Sequence, residues 1–405
     1  VSAAEPLVVF PVPSGQTWRI QAVWRGPPAS RNQVVTELSE ARSRKLHFDL
    51  YGAATASCDL DGHSAEGTAI QELSQDLAWW RFNVDVGAYE PYFRGPIGHS
   101  EDTLDGTAHT LNLQAADYRA MLGRSIVSAY SPTGIAQEII VGNIVAPFTA
   151  LGTYPQNLGV FNRGMYDPTG QNPTTSGTNR TLVYQGTEQV AAEIDKLATM
   201  QGGFEWGCDP VTWNAQDPAA YVATMTLYYP QRGVTKGFVA EYGANVTAVK
   251  RTVDSTGFSN WVQYTGQSGT AAQVASGDVM ANPQLHAEGL WQLTKADANV
   301  SDTSQLLAEA QFDLAFDSVL TPSYTLTLVP GAWRSRADCW LGDTIRVRVT
   351  SGRLSVDINV RIVQVDITID DAGNETVALV VARPPQTLAG VLGAQTQNLY
   401  QLNRR

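Results

Sequence analysis

The 405 residues carry 27 Lys and Arg against 39 Asp and Glu, a net charge of −12, with 43% hydrophobic and only 16% charged residues. Such a length admits about two to four domains with sizeable cores. The acidic balance argues against tight nucleic-acid binding, which needs clustered Lys and Arg, and the few charges leave surfaces to Thr, Ser, Gln, Asn and Gly. Residues 1–16 hold three prolines among alternating apolar positions and read as an extended arm. No basic segment precedes their apolar run, so they are not expected to be a signal peptide. Period-two alternation in TWRIQAVWR, RKLHFDLYG and TASCDL predicts half-buried strands. A helix is expected over SAEGTAIQELSQDLAWW, capped by Ser64, with Ile70, Leu73 and Leu77 on one stripe. WWRFNV, PYFRGPIGHSEDTL and AHTLNLQAADY read as strands, with a short helix after the last.

Residues 128–240 have a different texture, loop-rich over 149–179, with YDPTGQNPTTSGTNR as an exposed excursion. Their clearest helix is TEQVAAEIDKLATMQGG. Thr187 caps it, Val190, Ala191, Ile194, Leu197 and Ala198 form its stripe, and Gly202 ends it. GFEWGCD and ATMTLYYP resume strand character, so the segment reads as a small α+β module. From residue 241 strands return in NVTAVKRTVD and NWVQYTG. A helix, DTSQLLAEAQFDLAF, is capped by Thr303 and turns Leu306, Leu307, Ala310 and Leu314 inward. SYTLTLVP, DTIRVRVTS, INVRIVQVDITID and ETVALVVA are further strands. Beyond Pro384-Pro385, apolar Leu388, Val391, Leu392, Leu399 and Leu402 suit a helix that docks on a partner. No apolar stretch reaches the ~18 residues of a membrane span.

Candidate chemistry is sparse. Cys58, Cys208 and Cys339 are an odd number, far apart and without C-x-x-C spacing, and read as reduced packed thiols. His47, His63, His99, His109 and His286 show no H-E-x-x-H or other ligand spacing, so no metal site is expected; His47 and His109, in alternating strands, read as surface or interface residues. Asp59 to Gly67, DLDGHSAEG, lacks the acidic spacing and final Glu of a calcium loop and reads as a turn with a helix cap. Ser64 is not in a G-x-S-x-G elbow, since Glu66 stands where Gly is required. No phosphate-cradling G-x-x-x-x-G-K-[ST] loop occurs. Glu205 lies between Phe204 and Trp206, where aromatic neighbours could raise a carboxylic acid for glycan cleavage, but no second carboxylate is identifiable and alternation puts it on the opposite face from both rings. Trp79, Trp80, Tyr89, Tyr92, Tyr228 and Tyr229 could form a sugar platform. Neighbours in a strand face opposite ways, so core packing or interface anchoring is the better reading.

FRGPIGHSEDTLDGTAHTLNLQAADYRAML, residues 93–122, gathers Arg, His, Glu and three Asp. It has a counterpart. At an offset of 267, Asp76 falls on Asp343, Arg81 on Arg348, Phe82 on Val349 and Arg94 on Arg361. At 266, Asp105 meets Asp371, Thr110 meets Thr376, and Leu111 and Leu113 meet Val377 and Leu379. This describes two copies of one unit, a strand opened by Asp followed by a hairpin with an acidic Gly turn. Asp and Gly suit a hairpin tip because they tolerate positive φ and satisfy turn amides. Glu101, Asp102 and Asp105 therefore read as structural, since the second copy lacks counterparts of His99 and Glu101.

ARSRKLHFDLYGAATASCDLDG, IQELSQDLAWWRF, FRGPIGHSEDTLDGTAHTLNLQAADYRAML, GGFEW, EYGANVTAVKRTVDSTGFSNWVQYTG and LLAEAQFDLAFDSVLTPSYTLTLVP with WLGDTIRVRV resemble minor tail proteins of long-tailed phages that infect actinobacteria. More loosely they resemble the baseplate-hub and tail-associated proteins of other tailed phages. The resemblance spans roughly Thr17 to Arg383; residues 305–349, with helix, Pro, strand and Gly-Asp before a β-run, match the hub's second barrel. It implies a mainly β fold with α+β elements: two tube-like β-barrel domains per chain and a small inserted α+β module. The domains expected are an arm at 1–16, a first barrel at 17–127, the α+β module at 128–240, a second barrel with its helix at 241–385, and a helix or tether at 386–405.

The resemblance further implies a non-enzymatic virion protein at the distal tail tip, a homotrimer whose six barrels adapt a sixfold tube to a threefold tip. Its implied partners are a distal tail or tail tube protein, the tape-measure protein and other minor tail or fibre proteins. Phage DNA would pass an acidic lumen without specific binding. No catalytic, cofactor-binding or metal residue is assigned, and no cofactor. The alternatives are a tail-tip enzyme that degrades cell wall and a carbohydrate-binding receptor module, the latter in 128–240.

Overall fold

Alternating apolar and polar residues draw most of the chain into strands. A computed structural model describes residues 17–25, 32–149, 158, 160–200, 202–211, 221–266, 271–275, 289–296, 303–318 and 322–382. The arm expected over 1–16, the helix over 386–405 and His286 lie outside them. The elements begin with β1 (Trp18–Trp24), β2 (Val34–Glu37), β3 (Arg42–Asp49), β4 (Thr55–Asp61) and a single helical turn, α1 (Ala65–Thr68). Then come β5 (Gln75–Asn83), β6 (Ala88–Asp105), β7 (Ala108–Ala116) and α2 (Tyr118–Leu122). A middle section has β8 (Ile135–Ala136), α3 (Gln137–Thr149), β9 (Val160–Tyr166), β10 (Asn179–Arg180), α4 (Val190–Thr199), β11 (Glu205–Pro210) and β12 (Ala223–Tyr228). The rest is β13 (Thr235–Glu241), β14 (Val246–Thr252), β15 (Trp261–Thr265), β16 (Ala271–Ala275), β17 (Gln292–Ala296), α5 (Thr303–Asp317), β18 (Ser323–Leu328), β19 (Thr344–Ser351), β20 (Leu354–Ile369) and β21 (Glu375–Ala382). The fold is mainly β. No helix among the described residues is long and apolar enough to cross a membrane.

The chain divides into a larger unit, 1–249 with 325–381, and a smaller one, 250–324 with 382–405. In the larger, a 13-stranded sheet runs β14-β18-β21-β20-β3-β4-β7-β6-β5-β1-β2, with β19 against β20 and β13 against β19. Both copies of the repeat are in this one sheet. Each centres on a long strand that changes partner midway. β6 pairs with β5 up to Pro96 and with β7 from Ile97. β20 pairs with β19 up to Arg361 and with β3 from Gln364. The register of β6 slips between Ile97 and His99, an extra residue at a bulge. An earlier extra residue, Tyr92, at the slip opposite Trp79 and Trp80, already sets Gly95 against Leu77 as Arg361 is set against Thr344, an offset of 266 on the long strand. The ribbon tips turn at Gly106 and Gly373, both at positive φ, as acidic Gly turns require.

The middle section has its own core. α3 and α4 cover a three-stranded sheet, β11-β12-β9, in which β9 runs parallel to β12. Ile140, Val141, Ile144 and Val145 of α3 and Val190, Ile194 and Leu197 of α4 are buried with Phe204, Trp206, Met225 and Leu227. The loop-rich expectation for 149–179 missed β9. In the smaller unit β15 lies antiparallel to β16 and parallel to β17. Leu306, Ala310 and Leu314 of α5 pack on this sheet through Ala272 and Val262. Leu307 is exposed, contrary to its expected place in the stripe. Asp313 is buried in its stead, accepting from Tyr264 Oη at 2.5 Å and Lys295 Nζ at 2.6 Å.

Two helix expectations are corrected. Ser64 does cap a helix, accepting from Gly67 N at 2.9 Å, but α1 stops after one turn. Leu73 adopts φ 61 and is exposed, and Leu77 belongs to β5. The apolar spacing there was that of a doubly covered strand following a turn. α4 starts later than expected: Thr187 is not its cap, and the Glu188 carboxylate instead accepts the amides of Gln185, Gly186 and Thr187.

Candidate functional site

Each long strand carries a buried arginine where its pairing changes. In the first copy, Arg94 Nε donates to Asp76 Oδ2 at 2.8 Å and Nη1 to Asn32 Oδ1 at 2.7 Å. Tyr118 Oη donates to the same Asp76 oxygen at 2.7 Å. Both charged side chains are wholly buried, so the desolvation of each is offset by the other's charge and by hydrogen bonds. In the second copy, Arg361 Nε donates to Gly342 O at 2.8 Å, and its two Nη atoms form a fork on Glu205 at 2.5 Å. Glu205 also accepts from Arg232 N at 2.8 Å. Burial opposes the charge on Arg361, but Glu205 outweighs it and the guanidinium pKa is raised.

Glu205 therefore faces a cation. Glu205, Phe204 and Trp206 are all buried, because β11 is covered on both faces. An arginine-clamped carboxylate is not a general acid held protonated by apolar rings. Next along β11, at Trp206 to Pro210, lies a small cleft lined also by Asp49, Asp117, Arg119, Arg232 and Trp340. Arg232 binds Asp209 at 3.0 Å. Burial would raise Asp209, but Arg232 and Arg336 overcome it and lower its pKa. Asp117 accepts from Ala54 N and Arg119 N, each at 3.0 Å, and burial pushes its pKa up to about 7. Arg119 binds Asp195 at 2.6 Å and lies 4.2 Å over the Trp206 ring. This arrangement can join elements rigidly, because its geometry holds charged groups against each other.

The other singled-out residues scatter. Glu101, Asp102 and Asp105 are exposed along the β6–β7 ribbon. His109 Nε2 is 2.6 Å from Asp102 and His47 Nδ1 2.6 Å from Asp366, cross-strand pairs at the surface. Asp366 raises the His47 pKa. The His63 ring lies edge-on to that of His109 at 5.1 Å, and His99 is exposed. No group of three metal-ligating side chains occurs among the described residues. The three cysteines are free and buried; burial drives Cys58 and Cys339 up to about 12. Trp79, Trp80, Tyr92 and Tyr228 are buried, and Trp18, Trp79, Tyr92, Trp333 and Trp340 pack edge-to-face or stacked into one aromatic core. Arg232, Asp209, Asp117 and Arg119 escaped the sequence reading. An Arg inside an apolar strand, as in VRIVQV, was the available signal for such a network.

No family model matches the chain, and no curated protein does. Solved structures do. The 43 kDa tail protein of prophage MuSo2 from Shewanella oneidensis aligns over 90% of this chain and 98% of its own, at TM-score 0.60 and 12% identity. The tail protein of Neisseria meningitidis MC58 covers 91% and 97%, at 0.58 and 12% identity. Prophage tail protein gp18 of Listeria monocytogenes EGD-e covers 94% and 99%, at 0.52 and 10% identity. The chain thus has the fold of phage tail proteins along nearly its whole length.

Proposed function

We propose that this chain is a structural virion protein, the hub-like minor tail protein at the distal tip of a long tail. The observation that carries the reading is the doubled unit, β5–β6–β7 and β19–β20–β21, built into a single sheet within a fold shared with tail proteins. Two like units per chain let three chains present six to a sixfold tube and three to a tip. The two sets of strands would act as the tube-like domains, with 128–240 and the smaller unit as docking modules for tube, tape-measure or fibre proteins. A channel rich in carboxylates would let DNA pass without sticking. The chain would need no catalytic step, which agrees with a buried network whose charges are engaged with one another.

Mass photometry with class-averaged electron images of the purified chain tests the reading. A ring of three 43.7 kDa chains with a central hole is expected. Particles of another closed number, or hydrolysis of purified cell wall by the intact chain, would overturn it.

A further inference from the structure

The small sheet of the smaller unit has two unlike faces. Val262, Tyr264, Ala272 and Leu293 pack with α5 on one of them. Successive residues of a strand face opposite ways, so Trp261, Gln263 and Thr265 of β15 point away from the helix. The register supplies their neighbours. Gln263 stands between Gln273 of β16 and Thr294 of β17, Gln292 stands beside Trp261, and alanines flank Thr265. Gln273, Gln292 and Thr294 are exposed, and Trp261, Gln263 and Thr265 are half-buried.

The charges of this sheet are on the helix side. Lys295 Nζ binds Asp313 of α5 at 2.6 Å, and Tyr264 Oη donates to the same carboxylate at 2.5 Å. The opposite face carries amides, hydroxyls and one indole, with no charge at any of the paired positions, although a solvated face ordinarily mixes both signs. That composition narrows what could bind. Nucleic acid needs Lys and Arg against its phosphates. A protein partner needs an apolar centre of aromatics, Met or Arg, which a single tryptophan among glutamines does not make. A sugar fits both parts. Gln and Thr side chains donate and accept hydrogen bonds as hydroxyl groups do, and an indole offers a broad apolar surface to the C–H face of a pyranose or furanose ring.

We propose that this face binds an uncharged glycan, with Trp261 as the stacking platform and Gln263, Gln273 and Thr294 as the hydrogen-bonding row. Strands lie about 4.8 Å apart, so the row is roughly 10 Å long, and Trp261 stands one pleat, about 7 Å, to its side. A ring stacked on Trp261 has the next sugar over the row. A virion would meet that chemistry in an uncharged polysaccharide of the cell surface. The inference goes beyond the hub reading and is independent of it, since it concerns a face of one chain and not how chains assemble.

The test is binding of the intact chain to an array of neutral pentose and hexose oligosaccharides beside uronate and sulfated ones, followed by titration of the tightest neutral glycan. Neutral glycans are expected to lead. Trp261→Ala is expected to weaken the titrated affinity at least roughly tenfold, as loss of a central aromatic does. Thr294→Arg, at an exposed position where folding is unaffected, is expected to do the same by covering the row. Phe161→Ala removes half of an exposed aromatic pair in the middle section, Phe161 and Tyr221 with rings 4.9 Å apart, and is expected to change nothing. An array without neutral hits, a preference for charged glycans, or binding that ignores both substitutions or is lost with Phe161 overturns the inference. Rings that form without glycan binding overturn it and leave the hub reading standing; glycan binding by a chain that forms no rings does the reverse.

Discussion

Each copy of the repeat buries an arginine near its partner switch, one residue apart by strand pairing, and holds it by different means. In the first, Arg94 binds Asp76, the aspartate near the start of the adjoining strand. In the second, the equivalent Asp343 instead accepts the amides of Val234 and Trp340, and Arg361 takes Glu205 from the middle section. What persists is a cation at the point where a long strand exchanges partners. Arg361 also donates to two backbone carbonyls of neighbouring segments, Gly342 O and Arg232 O. The counter-charge is free to come from elsewhere, and in the second copy it ties the middle section to the sheet.

The sharpest way to break this comparison is to remove each arginine. Arg94→Ala leaves Asp76 buried with only Tyr118 beside it and is expected to cost about 3–5 kcal/mol in urea unfolding. Arg361→Ala should cost somewhat less, because Glu205 keeps the Arg232 amide. Arg361→Met combined with Glu205→Leu should recover most of that loss, as apolar replacement of a buried pair does. A double variant no better than Arg361→Ala would mean that the pair does more than fill its site.

The neighbouring position separates the copies by size. Gly95 follows Arg94, and a Cβ there would stand 2.0 Å from Ala116 O. In the second copy Arg361 faces Thr344 as Gly95 faces Leu77, and the residue after it, Ile362, is fully buried. Gly95→Ala is expected to lose about 2–3 kcal/mol through overpacking, whereas Ile362→Val should cost about 1 kcal/mol. Equal losses would show that the two partner switches have the same packing.

Asp117 has no acidic counterpart in the second copy, since the offset of 266 takes it to a basic residue, Arg383. Its folded pKa, about 7, lies above the ordinary 3.8, so the folded state binds its proton more tightly. The associated stability is complete below about pH 4 and is lost as pH rises through 7. The stability of the wild type minus that of Asp117→Asn should therefore fall by about 4 kcal/mol between pH 4 and pH 8. A flat difference would show that the Ala54 and Arg119 amides hold the carboxylate ionised throughout.

Much of this was legible in the sequence. The strands, the offset pairs and the arginines in apolar runs marked both copies, because alternation and turn chemistry act locally. The capped turn at Asp59 to Gly67 was equally local. What stayed hidden depended on contacts distant in sequence. Ile70, Leu73 and Leu77 mimicked a helical stripe because β5 is covered on both faces and shows no alternation. α3 was missed although Ile140, Val141, Ile144, Val145 and Phe148 have helical spacing, and β9 because its partner β12 lies about sixty residues further on. Glu205 found its partner 156 residues away, beyond any motif.

The smallest effect expected belongs to the pair Arg81 and Arg348, equivalent by sequence and opposite in setting. Arg81 Nε donates to Glu375 at 2.9 Å, and its guanidinium lies 4.7 Å from the Trp333 ring centre. Arg348 is half-exposed, 3.7 Å from Asp357 and 3.9 Å from Glu241. Water competes for it at those distances, so Arg348→Ala should change stability by under about 0.5 kcal/mol. Arg81→Ala strands Glu375 and uncovers two indoles, and should cost about 2 kcal/mol. Raising salt should leave the Arg81 loss in place and abolish what little Arg348 contributes, because only the solvated pair is screened. A salt-insensitive loss at Arg348 would mean that its strand face is covered by another chain, which returns the question to the ring.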